Sequence, residues 1–390
     1  MTDNNENKVL NVPHLRFPEF SGEWKKCKLG DLCNVLMCKR ILVSQTNTED
    51  GVPFYKIGTI GSTPDAYISK ELFDDYKVKY NYPRKGEVMI TCAGTVGKCV
   101  VYDGEDAYFQ DSNIVWIDNP TQYISNGFLF HLLSKVDWRK LNSTTIIRIY
   151  NDDLRNLKMS YPRKEEQQKI SHLLSLLDER IATQNKIIED LKKLKSAIIE
   201  IEYSPKDSYH SHIGGAIVQI SKRNKDNHLC NVLSVSNRQG FIKQSEQFED
   251  RNVASDDTSN YKIVEKNDFA YNPARINVGS IARLTKFETG IVSPMYICFR
   301  TKDCLLPEYL ELFFESRNFF YHIQKRLEGS VRLCLSYEEL CNIPIVIPSI
   351  EKQKQVDLHL SKLAQKIDLE MKILQFVQQQ KTYLLHQMFI

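Results

Sequence analysis

The sequence lacks any long hydrophobic run. One of its most apolar stretches, residues 343–347, is interrupted by Pro344 and is far shorter than the roughly 20 residues that a membrane-spanning helix needs. Residues 1–8 are polar and contain no apolar segment of the kind that a secretory signal requires. We therefore expect a cytoplasmic protein that has no contact with a membrane.

Paired cysteine motifs are also missing. The ten cysteines are scattered, no Cys-x-x-Cys occurs, and the group Cys27, Cys33 and Cys38 has no nearby histidine. His210 and His212 lie in a polar segment without a cysteine partner. In a reducing cytoplasm this distribution predicts free core thiols and neither disulfides nor a zinc site.

A strong charge of one sign is absent. The formal net charge is +3, with 52 basic and 49 acidic side chains. A large basic excess would indicate nucleic-acid binding, whereas this small one only permits it.

Complete catalytic motifs are missing as well. The run from Gly94 to Lys98 is too short for a phosphate-binding loop and is followed by Cys99 and a predicted strand. The segment from Asn272 to Arg275 lacks the second proline and the aromatic residue of a methyltransferase loop. Asp65, Asp75 and Lys77 match a nuclease pattern only loosely. The sequence thus predicts a protein that is not itself an enzyme and holds no cofactor or metal.

An internal repeat organises the chain. Residues 151–170 and 337–356 correspond without a gap, 186 positions apart. The matched positions are Leu154, Leu157, Pro162, Glu165, Gln167 and Ile170 in the first copy, and Leu340, Ile343, Pro348, Glu351, Gln353 and Val356 in the second. Each copy predicts a turn, a short apolar strand, a proline and then a helix.

The helix that follows each proline has the spacing of a coiled coil, with apolar residues three and four positions apart. The predicted seam residues are Ile170, Leu174, Leu177, Ile181, Ile188 and Leu191 in the first helix, and Val356, Leu360, Leu363, Ile367, Leu374 and Val377 in the second. Gln184 and Glu370 hold the same seam position in the two copies, and a polar residue there commonly fixes register.

The segments before the helices are rich in β-branched and aromatic runs separated by Gly and Asn. Residues 86–91 and 100–102 predict two strands joined by a tight turn, and residues 267–271 and 281–282 predict another such pair.

The predicted fold class is α+β, with two β-rich mixed domains held apart by two long helices. These helices are predicted to form an antiparallel coiled coil related by a pseudo-two-fold axis. The predicted boundaries are 1–162 for the first domain, 163–203 for its helix, 204–348 for a linker and the second domain, and 349–390 for the second helix.

This layout resembles the specificity subunit of type I restriction-modification systems, over nearly the whole chain. Four elements carry the resemblance: the opening from Leu15 to Trp24 with Lys28 to Leu32, the run from Lys85 to Lys98, the run from Tyr271 to Gly279, and the Pro-x-x-Glu-x-Gln junctions at 162–167 and 348–353. They occur in this order within a duplicated frame.

The resemblance implies two target recognition domains, each reading one half of a bipartite double-stranded DNA site through the major groove. It implies helices that set the distance between half-sites and dock two modification methyltransferase subunits. S-adenosylmethionine would belong to those subunits, and ATP and Mg²⁺ to partner subunits that also include a restriction translocase. A specificity module of a type IIG- or IIB-like enzyme and a coiled-coil scaffold without DNA binding are the alternatives.

Base readout favours Arg, Lys, Asn and Gln on loops that can enter the major groove. The DNA-binding candidates are Lys39, Arg40, Lys56, Lys98 and Arg148 in the first domain, and Asn237, Arg238, Arg275, Asn277 and Arg332 in the second. For any single one of them, a phosphate contact or a solvated charge is the alternative to a base contact.

Overall fold

The computed structural model describes residues 10–111, 113–140, 148–204, 211–237, 239–244, 257–329 and 333–390. The chain divides into two compact units, Met1–Asn185 with Ile373–Ile390, and Lys186–Lys372. The borders between the units fall inside two long helices, so each unit contains one β-rich domain and a part of each helix.

The first unit begins the element order. Its helices are α1 (Lys70–Lys79), α2 (Asn126–Lys135), α3 (Asn151–Arg155) and the start of α4 (Lys164–Glu202). Its strands are β1 (Lys25–Lys28), β2 (Asn34–Leu36), β3 (Thr46–Asn47), β4 (Val52–Tyr55), β5 (Tyr67–Ile68), β6 (Val88–Thr91), β7 (Cys99–Val101), β8 (Tyr108–Phe109), β9 (Ile114–Asp118) and β10 (Lys158–Tyr161).

The second unit also combines short helices with β-strands. Its own helices are α5 (Ile213–Ala216), α6 (Pro307–Phe313), α7 (Arg317–Arg326) and α8 (Tyr337–Cys341). It also contains the end of α4 from Lys186 and the part of α9 (Ile350–Met388) up to Lys372. Its strands are β11 (Ile217–Ile220), β12 (Val232–Ser236), β13 (Gly240–Lys243), β14 (Lys262–Glu265), β15 (Phe269–Tyr271), β16 (Ile281–Arg283), β17 (Thr289–Val292) and β18 (Ile297–Thr301).

One four-stranded antiparallel sheet has the same strand order in both units. The order is β2-β9-β6-β7 in the first and β11-β18-β15-β16 in the second. The two predicted strand pairs are confirmed, because β6 pairs with β7 and β15 with β16. In the first pair the turn needs Gly97, where φ is +83° and an added Cβ would lie 2.2 Å from Trp138 Cδ1.

A second sheet in each unit is only partly repeated. The orders are β3-β5-β4-β8 and β13-β12-β17-β14. Both contain a parallel pair, β4 with β8 and β12 with β17, next to an antiparallel hairpin. The fourth strand differs: β3 joins the hairpin side, whereas β14 joins β17. The two domains therefore share one sheet and diverge at the edge of the other.

The long helices pack in opposite directions within each unit. In the first unit Asp178 of α4 forms an ion pair with Lys381 of α9, and the start of α4 shares a core with the end of α9. In the second unit Glu202, at the end of α4, lies 3.1 Å from Lys352, near the start of α9. The predicted α+β fold with two packed long helices is confirmed.

The predicted seam residues face the interior of their units. The buried ones are Ile170, Leu174, Ile188, Val356, Leu360, Ile367 and Val377, and the half-buried ones are Leu177, Ile181, Leu191, Leu363 and Leu374. Gln184 and Glu370 are buried too. In the described ranges, no helix combines the length and the apolar character that crossing a bilayer requires.

Candidate nucleic-acid interface

The two junctions that the repeat predicts hold the domains by the same contacts. Gln167 is fully buried; its Oε1 accepts a hydrogen bond from Ser125 N at 2.7 Å, and its Nε2 donates to Tyr123 O and Pro162 O at 2.9 and 3.0 Å. Ser125 is the N-cap of α2, so the glutamine ties this helix to the first turn of α4.

Gln353 repeats the arrangement in the second unit. Its Oε1 accepts from Leu306 N at 2.8 Å, and its Nε2 donates to Cys304 O and Pro348 O at 3.0 and 2.9 Å. Leu306 is the N-cap of α6. Each β-rich domain is thus fixed to the helix that follows it by three hydrogen bonds from one buried side chain.

In the first domain the loop between β4 and β5 meets the loop between β6 and β7. Lys98 Nζ donates to Ile60 O at 2.5 Å, and Thr95 Oγ1 donates to Ile57 O at 3.1 Å. Arg40 and Lys56 line one cleft of about 310 Å³, whose wall also includes Gln110. The structure therefore brings Arg40, Lys56 and Lys98 to one side of the domain.

The basic side chains of this region differ in whether they already have a partner within the domain. Lys56 forms an ion pair with Asp65 at 2.9 Å, and Lys98 is held by a carbonyl oxygen. Lys39 and Arg40 are exposed, and within the described ranges neither forms an ion pair. Lys39 Nζ lies 5.3 Å from the centre of the Tyr80 ring, which holds this lysine at the surface. Lys39 and Arg40 are accordingly the better candidates for DNA contact.

Arg148 lies beside the same region. Ile149 N donates to Cys92 O at 2.9 Å, which places Arg148 at the base of the loop after β6. The second domain repeats this contact, with Leu335 N donating to Pro273 O at 3.1 Å. Arg332, three residues earlier in sequence, lies outside the described residues, and so does Arg238.

In the second domain Asn237, Arg275 and Asn277 come together. Asn237 lies in the turn between β12 and β13, and the other two lie between β15 and β16. Ser280 Oγ donates to Val235 O at 3.2 Å, so the two loops touch. All three side chains are exposed, and in the part of the chain that the structure describes Arg275 has no ion pair. By contrast, Arg300 is committed to Asp268 and Glu265.

Sequence reasoning missed a basic segment after β11. Lys222, Arg223 and Lys225 are exposed, and the buried Asn224 anchors them through hydrogen bonds with Leu229. They follow β11 as Lys39 and Arg40 follow β2, and these strands hold the same place in the shared sheet. The local signal was three basic residues within four positions, and the equivalence of the two strands gives this run its place beside the shared sheet.

The structure gives the possible catalytic residues other roles. Asp65 pairs with Lys56, Asp75 with Lys79, and Lys77 with Asp106. The loop from Gly94 to Lys98 leads into strand β7, so no helix N-terminus is available there to bind phosphate. Among the described residues, no group of three or more His, Cys, Asp or Glu side chains could hold a metal ion.

The cysteines are free thiols in the structure. Burial raises the pKa of Cys33, Cys38, Cys92 and Cys298 to about 12, so these four are protonated at neutral pH. A protonated buried thiol is a poor nucleophile and a poor metal ligand.

The sequence is similar to known proteins over part of its length. A sequence model described as the type I restriction modification DNA specificity domain matches residues 21–193. A putative type I restriction enzyme specificity subunit of Haemophilus influenzae, S.HindORF215P, is 46% identical over 184 residues, or 47% of this chain and 45% of that protein. The chain spans about half the length of the curated relatives it matches.

Two solved structures share the fold. One is the crystal structure of a type I restriction-modification system S subunit from M. genitalium, with a TM-score of 0.60 and 16% identity over 97% of this chain and 99% of that one. The other, reported for complex assembly and conformational transition of the type I R-M system, has a TM-score of 0.54 and 14% identity over 96% of this chain and 98% of that one. At this identity the likeness concerns the fold.

Proposed function

We propose that the chain is a specificity subunit of the type I restriction-modification family, whose DNA specificity domain matches residues 21–193, and that it binds a bipartite double-stranded DNA site through the major groove. The first domain reads one half-site and the second domain reads the other. The chain supplies the sequence specificity and the helices on which partner subunits dock, and it performs neither methylation nor cleavage itself.

One observation carries this proposal: each unit holds exposed basic side chains on loops beside the sheet that the two units share, and in the second unit exposed amide side chains accompany them. In the first unit this set includes Lys39 and Arg40, and in the second it includes Arg275 and Asn277. Arginine can pair with guanine, and asparagine with adenine, by two hydrogen bonds each. The second sheets, which differ at their edges, adjoin these loops, and this difference supports the reading of two different sequences.

The proposed partners follow from the same assignment. Two modification methyltransferase subunits dock on the long helices, and restriction translocase subunits join the complex. S-adenosylmethionine, ATP and Mg²⁺ belong to these partners, so the isolated chain needs no cofactor. We expect the complex to act on DNA in the cytoplasm.

Methylation mapping in cells that contain the chain and its modification subunit tests the proposal. Arg40→Ala should weaken recognition of one half-site and Arg275→Ala recognition of the other, each by about 1–3 kcal/mol if a paired base contact is lost. Lys266→Ala, which removes an exposed charge that pairs with Glu288 and lies on neither long helix, is the control and should leave both half-sites unchanged.

Two results would contradict the proposal. If both arginine variants relaxed the same half-site, the domains would not read independently. If the complex of the chain and its modification subunit bound no specific site, the scaffold alternative would stand.

A further inference from the structure

A four-residue pattern occurs once in the candidate loops of each domain. Arg40-Ile41-Leu42-Val43 follows β2, and Arg275-Ile276-Asn277-Val278 lies between β15 and β16. These loops occupy different places in the shared sheet order, so the 186-residue repeat does not account for the pattern.

In the first domain this pattern holds an aliphatic side chain rigidly in solvent. Ile41 is buried, whereas Val43 is 89% exposed and Leu42 is 55% exposed. Gln45 Oε1 accepts a hydrogen bond from Leu42 N at 2.9 Å, and Thr46 Oγ1 donates to Val43 O at 2.8 Å. The backbone that carries Val43 is therefore fixed on both sides.

In the second domain a different turn gives the same result. Ile276 is buried and Val278 is 58% exposed. Gly279 closes the turn with φ at +86°, a left-handed conformation that glycine adopts without steric cost, and its N–H donates to Ile276 O at 2.9 Å. Val278 is thus held between the exposed side chain of Asn277 and the turn glycine.

A single exposed valine is ordinary on a protein surface. Here, however, each valine is anchored by a buried isoleucine, stands three positions after an exposed arginine without an ion pair in the described ranges, and lies on a loop proposed to enter the major groove. The major groove carries one distinctive apolar group, the 5-methyl group of thymine. An aliphatic side chain beside an arginine suits a thymine close to a guanine.

We propose that Val43 and Val278 read thymine, each packing against the 5-methyl group of one thymine in the half-site of its own domain. This inference rests on the proposed function and adds which chemical group each domain recognises. Val43 and Val278 would be specificity-determining residues, with Arg40 and Arg275 contacting neighbouring base pairs.

The test uses the complex of the full chain with its modification subunit and the site found by methylation mapping. Each thymine of a duplex with this site is replaced in turn by deoxyuridine, which lacks only the 5-methyl group. In each half-site, one replacement should weaken binding of the unmodified complex about three- to fivefold, the value of burying one methyl group. Val43→Ala should remove this difference in one half-site and Val278→Ala in the other.

Two matched variants control for the loss of an exposed valine. Val78 on α1 is 86% exposed, and Val218 on β11 is 50% exposed. Val78→Ala and Val218→Ala should keep the full preference for thymine over deoxyuridine in both half-sites.

The possible failures are distinguishable. If the complex binds its site specifically but ignores every deoxyuridine, or if neither half-site has an A·T pair, thymine reading is wrong while the proposed function stands. If Val43→Ala weakens binding to both duplexes equally, the valine does not read the methyl group. The absence of any specific site would contradict both proposals.

Discussion

Burial isolates the imidazole of His131 on α2. The side chain is fully buried, and neither ring nitrogen has a hydrogen-bond partner among the described residues. The nearest charges come from the long helices: Asp178 Oδ2 lies 4.0 Å from Nδ1, and Lys381 pairs with that same carboxylate. Burial lowers the pKa of His131 to about 4, and the Asp178 carboxylate offsets only part of this effect. The ring is therefore neutral at pH 7.

This histidine should make the first unit sensitive to acid. Its pKa is about 4 in the folded chain and about 6.5 when unfolded, so the unfolded chain binds the proton more readily as the pH falls. The free energy of unfolding should drop by about 2 kcal/mol between pH 8 and pH 5 from this group alone. Urea unfolding of His131→Leu at the two pH values should show that much less pH dependence, whereas the exposed His172→Gln should behave as the unmodified protein does. Equal pH dependence in His131→Leu would contradict this assignment.

The junction glutamines allow a paired prediction. Gln167→Ala leaves the Ser125 N–H and the carbonyls of Tyr123 and Pro162 without their partner, at a cost of about 1–3 kcal/mol for buried polar groups. Gln353→Ala should cost a similar amount in the second unit. Hydrogen exchange followed by mass spectrometry should show faster exchange near residues 123–135 for the first variant and near 304–313 for the second. If either variant increased hydrogen exchange equally in both segments, the two junction glutamines would not act locally.

At the scale of elements, the contact between α5 and α8 depends on one glycine. A Cβ on Gly214 would lie 2.6 Å from Cys341 Cβ, whereas a Cβ on the adjacent Gly215 would meet nothing within 4 Å. Gly214→Ala should therefore lower the free energy of unfolding by about 1–3 kcal/mol, and Gly215→Ala should change it little. Chemical unfolding of the two variants makes the comparison, because both introduce the same methyl group one residue apart. Equal stability of the two variants would mean that α8 moves freely away from α5.

The same contact shows what the sequence could and could not predict. Leu340 and Leu154 are matched by the 186-residue repeat, and the repeat also relates Cys341 to Arg155. In the structure Gly30 approaches Arg155 as Gly214 approaches Cys341. The turns and long helices that follow the domains could be predicted because their residue spacing is local and occurs twice. The equivalence of Gly30 and Gly214 could not be predicted, because the chain between Gly30 and Arg155 differs in length from the chain between Gly214 and Cys341.

The order of the strands in the sheets could not be predicted from the sequence for a related reason. Alternation of side chains and glycine turns indicated β6 with β7 and β15 with β16, which are close in sequence. The parallel pairing of β4 with β8 joins Phe54 to Tyr108, and no local pattern encodes such a distant partner. For the same reason, the sequence predicted which loops carry candidate DNA-binding residues. It could not predict that Lys98 donates a hydrogen bond to Ile60 O. Which of these residues contact bases stays a prediction.

At the scale of the whole molecule, each long helix passes without interruption from the residues of one unit into those of the other. The border lies between Asn185 and Lys186 in α4 and between Lys372 and Ile373 in α9. These points mark where the helices can be lengthened while the contacts inside each unit stay intact.

We predict that the length of the two long helices sets the distance between the half-sites. Four residues inserted at both borders lengthen each helix by about 6 Å, while the DNA rises about 3.4 Å per base pair, so the gap between half-sites should grow by one or two base pairs. Four residues turn a helix about 40° beyond a full turn, close to the rotation of one base pair, so both domains can still meet their grooves. Methylation mapping should find both half-site sequences unchanged across a longer gap. Insertion at one border alone should disrupt the packing of the two helices and lower assembly with the modification subunit. An active double-insertion variant with the original gap would show that the helices do not set the spacing.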